Sequence, residues 1–402
     1  MERSNESYVR CAECDAPPED VAYDAKCLDQ LNSHLQSLID EGRIRSGSYC
    51  LWRHGKVFAD AAMGSIACEW MGNTEFKPDT LFEIQSVGKA ITAIAVLTLL
   101  DDRLLYLDQP VAELIKEFDT GDFKKITIKH LLTHTSGLCA LDGSYPQDER
   151  RWWDHMDPAD PANSWLSALV KTGLHAAPGE KWIYSTAAYL LLGEVIKRLS
   201  GIEAERYIYE KILKPCEMFD THWRKDATHG QLKRYNIANE TDIAMAERYD
   251  FLGERALAAP TYQTWPGIPD TAGGEMSTCR EMMHLAEMIL RDGMYRGKRV
   301  IGKDAISLLW TDMLPYDIRA VSYGNDSRIR YGAGMCIYSS DYDKDQILSE
   351  GTIYHEGAGT SVFLADRQED FAAMFQTSFC KEFDWDARAV KEVATIIHSG
   401  IL

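Results

Sequence analysis

The chain has 402 residues, 45% of them hydrophobic and 26% charged, the balance of an ordinary globular protein. That length suffices for one large unit or two packed subdomains around a substantial core. A formal net charge of −19 speaks against a nucleic-acid partner and against attachment to anionic membranes.

Residues 1–24 read as a polar N-terminal tail. They contain no basic stretch followed by an apolar run, so no secretory signal is expected. No apolar run reaches the length of about 18 residues that a membrane span needs, and a cytoplasmic location is expected. The ten cysteines are then expected as reduced thiols. Cys11 and Cys14 form a CxxC pair, but a second pair to complete a metal site is missing. No metal and no cofactor is expected.

Residues 26–42 set Leu28, Leu31, Leu35 and Leu38 on a helical stripe that Gly42 ends. GSYCLWRHGKVFADAAMG (47–64) predicts two strands around a turn at His54 and Gly55. SVGKAITAIAVLTLL (86–100) is apolar nearly all round, which predicts a buried helix with Ser86 as its N-cap. Helices are also predicted over 127–138, ended by Gly137, over 186–199 and over 279–290. YGAGMCIYSS, TIYHEG, TSVFLADR and DFAAMFQTSF then predict consecutive antiparallel strands, and residues 386–402 a last helix. The expected fold class is α/β (α+β): one antiparallel sheet drawn from both ends of the chain and flanked by helices. Its α/β subdomain takes 25–80 plus 291–402, and a mainly helical subdomain at 81–290 is inserted.

Ser86-Val87-Gly88-Lys89 carries the chemistry. A serine hydroxyl is a weak nucleophile and needs a base. Positions i and i+3 share a helix face, which brings the Lys89 amine to the Ser86 hydroxyl. The free N–H groups of the helix start suit a developing oxyanion. The chain contains a second such pattern, Ser378-Phe379-Cys380-Lys381, at the end of a predicted strand. There, residues three apart face opposite ways, so it fails on geometry. G-x-S-x-G and H-E-x-x-H motifs are absent. Asp341, Asp343 and Asp345 begin like a calcium loop, but Gln346 and Thr352 break the pattern, and a polar turn is the better reading.

The segment LFEIQSVGKAITAIAVLTLLDDRLLYLDQPVAELIKEF, followed by ITIKHLLTHTSGL, closely resembles the class C β-lactamase and serine D-peptidase superfamily, which includes the family VIII carboxylesterases. The resemblance continues in order through residues 178–201, 272–290, 331–335 and 354–363, and covers nearly the whole chain. It implies that Tyr184 shuttles a proton between nucleophile and leaving group. Thr186 stands where the family has Asn, and His355-Glu356-Gly357 where β-lactamases have Lys-Thr-Gly and esterase-like relatives often have His-x-Gly. Gly357 is expected to let substrate approach the backbone, and the N–H groups of Ser86 and Ala358 to form the oxyanion hole. His134 is read as structural. Trp152, Trp153, Tyr262 and Trp265 are candidates for a pocket wall, and equally for loop packing.

These features favour a serine hydrolase that cleaves a small-molecule ester or amide through a Ser86 acyl-enzyme. Thr186 and His355 both point away from β-lactams. The competing readings are a D-amino-acid peptidase or β-lactamase, a biosynthetic acyltransferase and a non-catalytic scaffold.

Overall fold

A computed structural model describes residues 9–44, 46–68, 72–138, 151–223, 267–320, 328–344, 346–357, 361–377 and 388–402. Its strands are β1 (Arg10–Cys11), β2 (Ser46–Arg53), β3 (Lys56–Cys68), β4 (Gly72–Glu75), β5 (Phe82–Glu83), β6 (His222–Trp223), β7 (Glu275–Ser277), β8 (Met294–Tyr295), β9 (Lys298–Arg299), β10 (Cys336–Ile337), β11 (Ile353–Gly357), β12 (Ser361–Asp366) and β13 (Phe371–Thr377). The α-helices are α1 (Ala25–Asp40), α2 (Gly88–Asp101), α3 (Ile128–Leu132), α4 (Pro161–Thr172), α5 (Thr186–Ser200), α6 (Ala204–Ile208), α7 (Cys279–Leu290), α8 (Lys303–Ile306) and α9 (Arg388–Ser399).

Among the described residues, an antiparallel eight-stranded sheet runs β1-β3-β2-β13-β12-β11-β10, with β4 on β3. Successive side chains of a strand face opposite ways, and here both faces are apolar. Tyr49 and Leu51 of β2 join Phe371, Ala373 and Phe375 of β13 in one core, beneath α1 and α9. Cys50 and Trp52 join Ala372 and Met374 in the other, which contains α2, α5 and α7. A sheet apolar on both faces needs a helical layer on each, and both ends of the chain supply strands to it.

Where the elements depart from expectation, the causes are local. Residues 10–24 are not a loose tail. β1 pairs with β3, Val21 and Tyr23 are buried, and the buried Arg53 guanidinium donates to Val21 O at 3.2 Å. The predicted 127–138 helix, capped at its start by Thr127, stops at Leu132, because Thr133 leaves helical geometry and His134 turns into left-handed space at φ 55°. α7, placed in the helical subdomain, packs on the sheet instead: Cys279 Sγ lies 3.3 Å from Ser48 Oγ, and Arg280 pairs with Asp60 at 2.7 Å. Of the predicted 331–340 strand, Cys336–Ile337 joins the sheet, and Tyr331 forms an isolated bridge with Cys336. Ser378 to Lys381 fall outside the described residues. Among those described, no helix is long and apolar enough to cross a membrane.

Candidate active site

The turn that carries Ser86 is built under strain. Gln85, just before Ser86, has φ 53°, a conformation costly for a side chain with a Cβ and common at functional sites. Three contacts hold it. Ile84 N–H donates to Glu275 O at 2.9 Å, and Ser361 Oγ donates to Ile84 O at 3.0 Å. Gly273 (φ 142°) presses on the turn so closely that a Cβ there would stand 2.4 Å from Gln85 O. Ser86 is not the helix N-cap that its sequence suggests: Gln85–Val87 form a 3-10 turn, and α2 begins at Gly88.

Lys89 follows in the first turn of α2 and is fully buried. Its Nζ donates to Ser86 Oγ at 2.9 Å and to Ala272 O at 2.6 Å. The i, i+3 spacing therefore does what the pattern requires. The same amine sits 5.0 Å from the centroid of the Tyr184 ring and 5.8 Å from that of Tyr189.

Tyr184 is buried just before α5, whose N-cap is Ser185 and whose first residue is the buried Thr186. Its surroundings include His134, whose place in the sequence suggests a structural role alone. His134 O accepts from Ile183 N–H at 2.8 Å, and its ring Nδ1 accepts from Ser185 N–H at 3.1 Å. The imidazole lies against the phenol, with ring centroids 4.4 Å apart. Trp182 and Tyr331 close the cluster at 5.6 and 5.5 Å from His134. An Nδ1 that accepts puts the ring proton on Nε2. Burial first, then the nearby Lys89 amine, holds this imidazole neutral, well below the ordinary histidine range.

His355 enters from β11, and its ring centroid is 6.3 Å from that of Tyr184. Nδ1 lies 2.8 Å from the backbone oxygen of Glu356. A carbonyl can only accept, so Nδ1 carries the proton and Nε2 keeps its lone pair. Burial, then Lys89, pushes His355 down to about 3. Burial also raises the Glu356 carboxyl above its usual range.

Protein packs closely on Gly357: a Cβ there would lie 2.1 Å from Ser361 Oγ and 2.6 Å from Ile84 O. Trp152 takes the packing alternative: it is wholly buried against Trp153 and Trp165. Trp153 is partly buried on the same cluster. Ala358, Tyr262 and Trp265 lie outside the described residues.

One further Ser/His/Asp grouping fails on geometry. Ser349 Oγ and Asp366 Oδ2 both meet the same His398 Nε2, at 3.1 and 3.0 Å. A proton relay needs the acid on one ring nitrogen and the serine on the other. This cluster instead ties α9 to β12.

Residues 31–393 match the protein family described as Beta-lactamase. The chain belongs to the β-lactamase family. Its members are serine hydrolases, and a buried lysine hydrogen-bonded to a half-buried serine fits that chemistry. Among curated relatives, protein Rv1367c of Mycobacterium tuberculosis is 26% identical over 385 residues, spanning 90% of this chain and 92% of that one. Among solved structures, EstCE1, "a hydrolase with promiscuous acyltransferase activity", superposes with TM-score 0.71 at 18% identity, covering 92% of this chain and 98% of that one. D-amino acid amidase from Ochrobactrum anthropi gives TM-score 0.66 at 19% identity, covering 94% and 99%. At such identities the likeness concerns the β-lactamase fold.

Proposed function

We propose that this β-lactamase-family chain is an acyl-enzyme hydrolase of uncharged esters or small amides, with Ser86 as nucleophile, Lys89 as base and Tyr184 as proton carrier. The observation that carries this reading is the 2.9 Å bond from Lys89 Nζ to Ser86 Oγ at a fully buried amine. In the first step the Ser86 proton passes to Nζ as Oγ bonds to the substrate carbonyl carbon. The resulting oxyanion rests on backbone N–H groups of Ser86 and Ala358. When the tetrahedral species collapses, the bond to the leaving group breaks and Tyr184 supplies that group with a proton, which Lys89 replaces. Water then attacks the acyl-enzyme by the reverse sequence.

Two features support an uncharged substrate. A His355 held neutral offers no cation to a substrate carboxylate, the role a lysine would fill there. Thr186 in place of Asn lacks the amide that pairs with a peptide or β-lactam. Acyl transfer to an alcohol or amine is the second reading, favoured by the promiscuous acyltransferase activity of EstCE1.

The test is fluorophosphonate labelling with intact-mass analysis, beside turnover of p-nitrophenyl butyrate and nitrocefin. One adduct on the wild type and none on Ser86→Ala is expected, with ester turnover and little nitrocefin cleavage. Labelling of Ser86→Ala would reject the nucleophile. Fast nitrocefin turnover with poor ester turnover would reverse the substrate ranking. Lys89→Ala should cost about 10²–10⁴ in rate, the usual value of a positioned general base.

A further inference from the structure

Besides Ser86 Oγ, the Lys89 amine donates to Ala272 O at 2.6 Å, on the segment that leads into β7. The residue before it, Thr271, is fully buried and ties that segment to two helices at once. Its hydroxyl donates to Tyr189 O of α5 at 2.8 Å. Its carbonyl accepts from Thr92 Oγ1 of α2 at 2.8 Å. α2 carries both Lys89 and Thr92, about one turn apart, and α5 begins two residues after Tyr184. Thr271 therefore sits between the helix of the base and the helix that follows the phenol.

Both helices are adapted to it. A threonine inside a helix commonly turns its hydroxyl to a carbonyl of the preceding turn. Thr98 of α2 and Thr172 of α4 do so, donating to Ala95 O at 2.7 Å and to Ala168 O at 2.9 Å. Thr92 donates out of its helix instead. On α5, Gly193 stands one turn beyond Tyr189, where a Cβ would lie 2.3 Å from Thr271 Oγ1 and 2.6 Å from Pro269 Cβ. Glycine weakens a helix interior relative to alanine, and here it clears the space in which the Thr271 hydroxyl reaches Tyr189 O. Valine has nearly the volume of threonine, so packing alone calls for neither hydroxyl.

We propose that Thr271 is a positioning residue for Lys89: anchored to α2 and α5, it fixes Ala272 O, and that carbonyl aims the amine at Ser86. The proposal rests on the Ser86–Lys89 reading above. A neutral amine has two N–H groups and one lone pair. One N–H given to Ala272 O confines rotation about the Cε–Nζ bond and turns the lone pair to Ser86. When Lys89 acts as base, the bond at Ser86 reverses: Oγ–H donates to the lone pair, the O–H bond breaks and a third N–H bond forms. The bond to Ala272 O stays throughout. It becomes charge-assisted as the ammonium appears, and so strengthens along the step.

The experiment is fluorophosphonate labelling of Ser86, resolved into a limiting rate and a half-saturating probe concentration, with thermal melts alongside. The variants are Thr271→Val, Thr92→Val, the two together, Thr271→Ser, and Thr98→Val as control. Thr98 bonds Ala95 O and Tyr207 OH, farther along the helix of Lys89. The valine pair should lower the limiting rate about tenfold or more, as misplacement of a reacting group does, with the half-saturating concentration little changed. Each single valine variant should fall between the pair and wild type. Thr271→Ser keeps the hydroxyl and should restore the wild-type rate, and Thr98→Val should melt lower yet label as wild type does. Wild-type labelling by the folded pair, or by both single variants if the pair does not fold, overturns the proposal. So does a loss confined to the half-saturating concentration, an equal slowing in Thr98→Val, or a Thr271→Ser as slow as Thr271→Val. Failure of every valine variant at 92 and 271 to fold also overturns it, by marking the two hydroxyls as structural. Wild-type labelling by Lys89→Ala, or any labelling of Ser86→Ala, would instead overturn the underlying base or nucleophile assignment.

Discussion

His134 brackets Tyr184: its carbonyl takes the N–H of Ile183 at 2.8 Å, and its ring takes the N–H of Ser185 at 3.1 Å. The residue on each side of the phenol is thus fixed by one histidine, whose left-handed backbone (φ 55°) lets carbonyl and ring reach the same segment. His134→Phe keeps the stacking surface and removes the acceptor. The orphaned Ser185 N–H should cost about 1–3 kcal/mol of stability. Misplacement of the phenol should lower kcat about tenfold or more, with KM little changed. Ester kinetics beside thermal melts would check this; a melt that drops while kcat holds would leave His134 with a packing role alone.

His355 gives a pH prediction with a defined sign. Its folded value of about 3 lies below the unfolded histidine value of about 6.5. Between these the unfolded chain binds a proton that the folded chain refuses. Stability is therefore intact above about 6.5 and falls as pH drops towards 3. His355→Gln should lose less melting temperature on acidification than wild type. It should leave the acid limb of kcat/KM where it was, because His355 stays neutral throughout the working range. A shifted limb would show that His355 titrates during turnover.

Much of this was legible because periodicity and spacing report directly on burial. The short apolar runs separated by turn residues in 47–64 and 361–377 mark strands, and the apolar run after Ser86 marks a helix buried on every side. Ser-x-x-Lys works because i and i+3 share a face. His134 was not legible as a clamp, because its reach depends on a left-handed φ and on Tyr184, 50 positions away in the chain. Gly357 signals close approach, and only the structure shows that Ser361 and Ile84 make one.

Gly357 yields a third prediction. β11 ends against the turn that carries Ser86, and Ser361 Oγ, just beyond β11, donates to Ile84 O in that turn at 3.0 Å. Gly357→Ala places a methyl group against both and should push Ile84 and Gln85, and with them Ser86, out of line. Overpacking of this kind costs about 1–3 kcal/mol, and misalignment of a nucleophile about 10²-fold in rate. Adding Ser361→Gly removes only one of the two clashes. The double variant should thus recover melting temperature more than labelling rate at Ser86. Wild-type labelling in Gly357→Ala alone would show that the turn does not depend on this contact.

Glu281, near the start of α7, tests how burial governs stability. Oε1 accepts from Asp220 N–H at 2.8 Å and Oε2 from Thr221 Oγ at 2.6 Å. Those bonds favour the carboxylate, yet burial outweighs them and lifts the group to about 7. The unfolded chain's glutamate titrates near about 4.3. Between these values the folded state holds a proton that the unfolded state has released. Its stabilising effect is complete below about 4.3 and is lost as pH rises through 7. Glu281→Gln stays uncharged and keeps one oxygen to accept from Thr221. Below about pH 4.3 it should melt at or slightly below wild type. As pH rises from there to 7, wild type loses stability that the variant keeps, and the gap between them grows by up to roughly 3 kcal/mol before it levels off above 7. Thermal melts below about 4.3, within this window and above 7 would read this difference directly; parallel curves would mean that the bonds from Asp220 and Thr221 hold Glu281 ionised throughout.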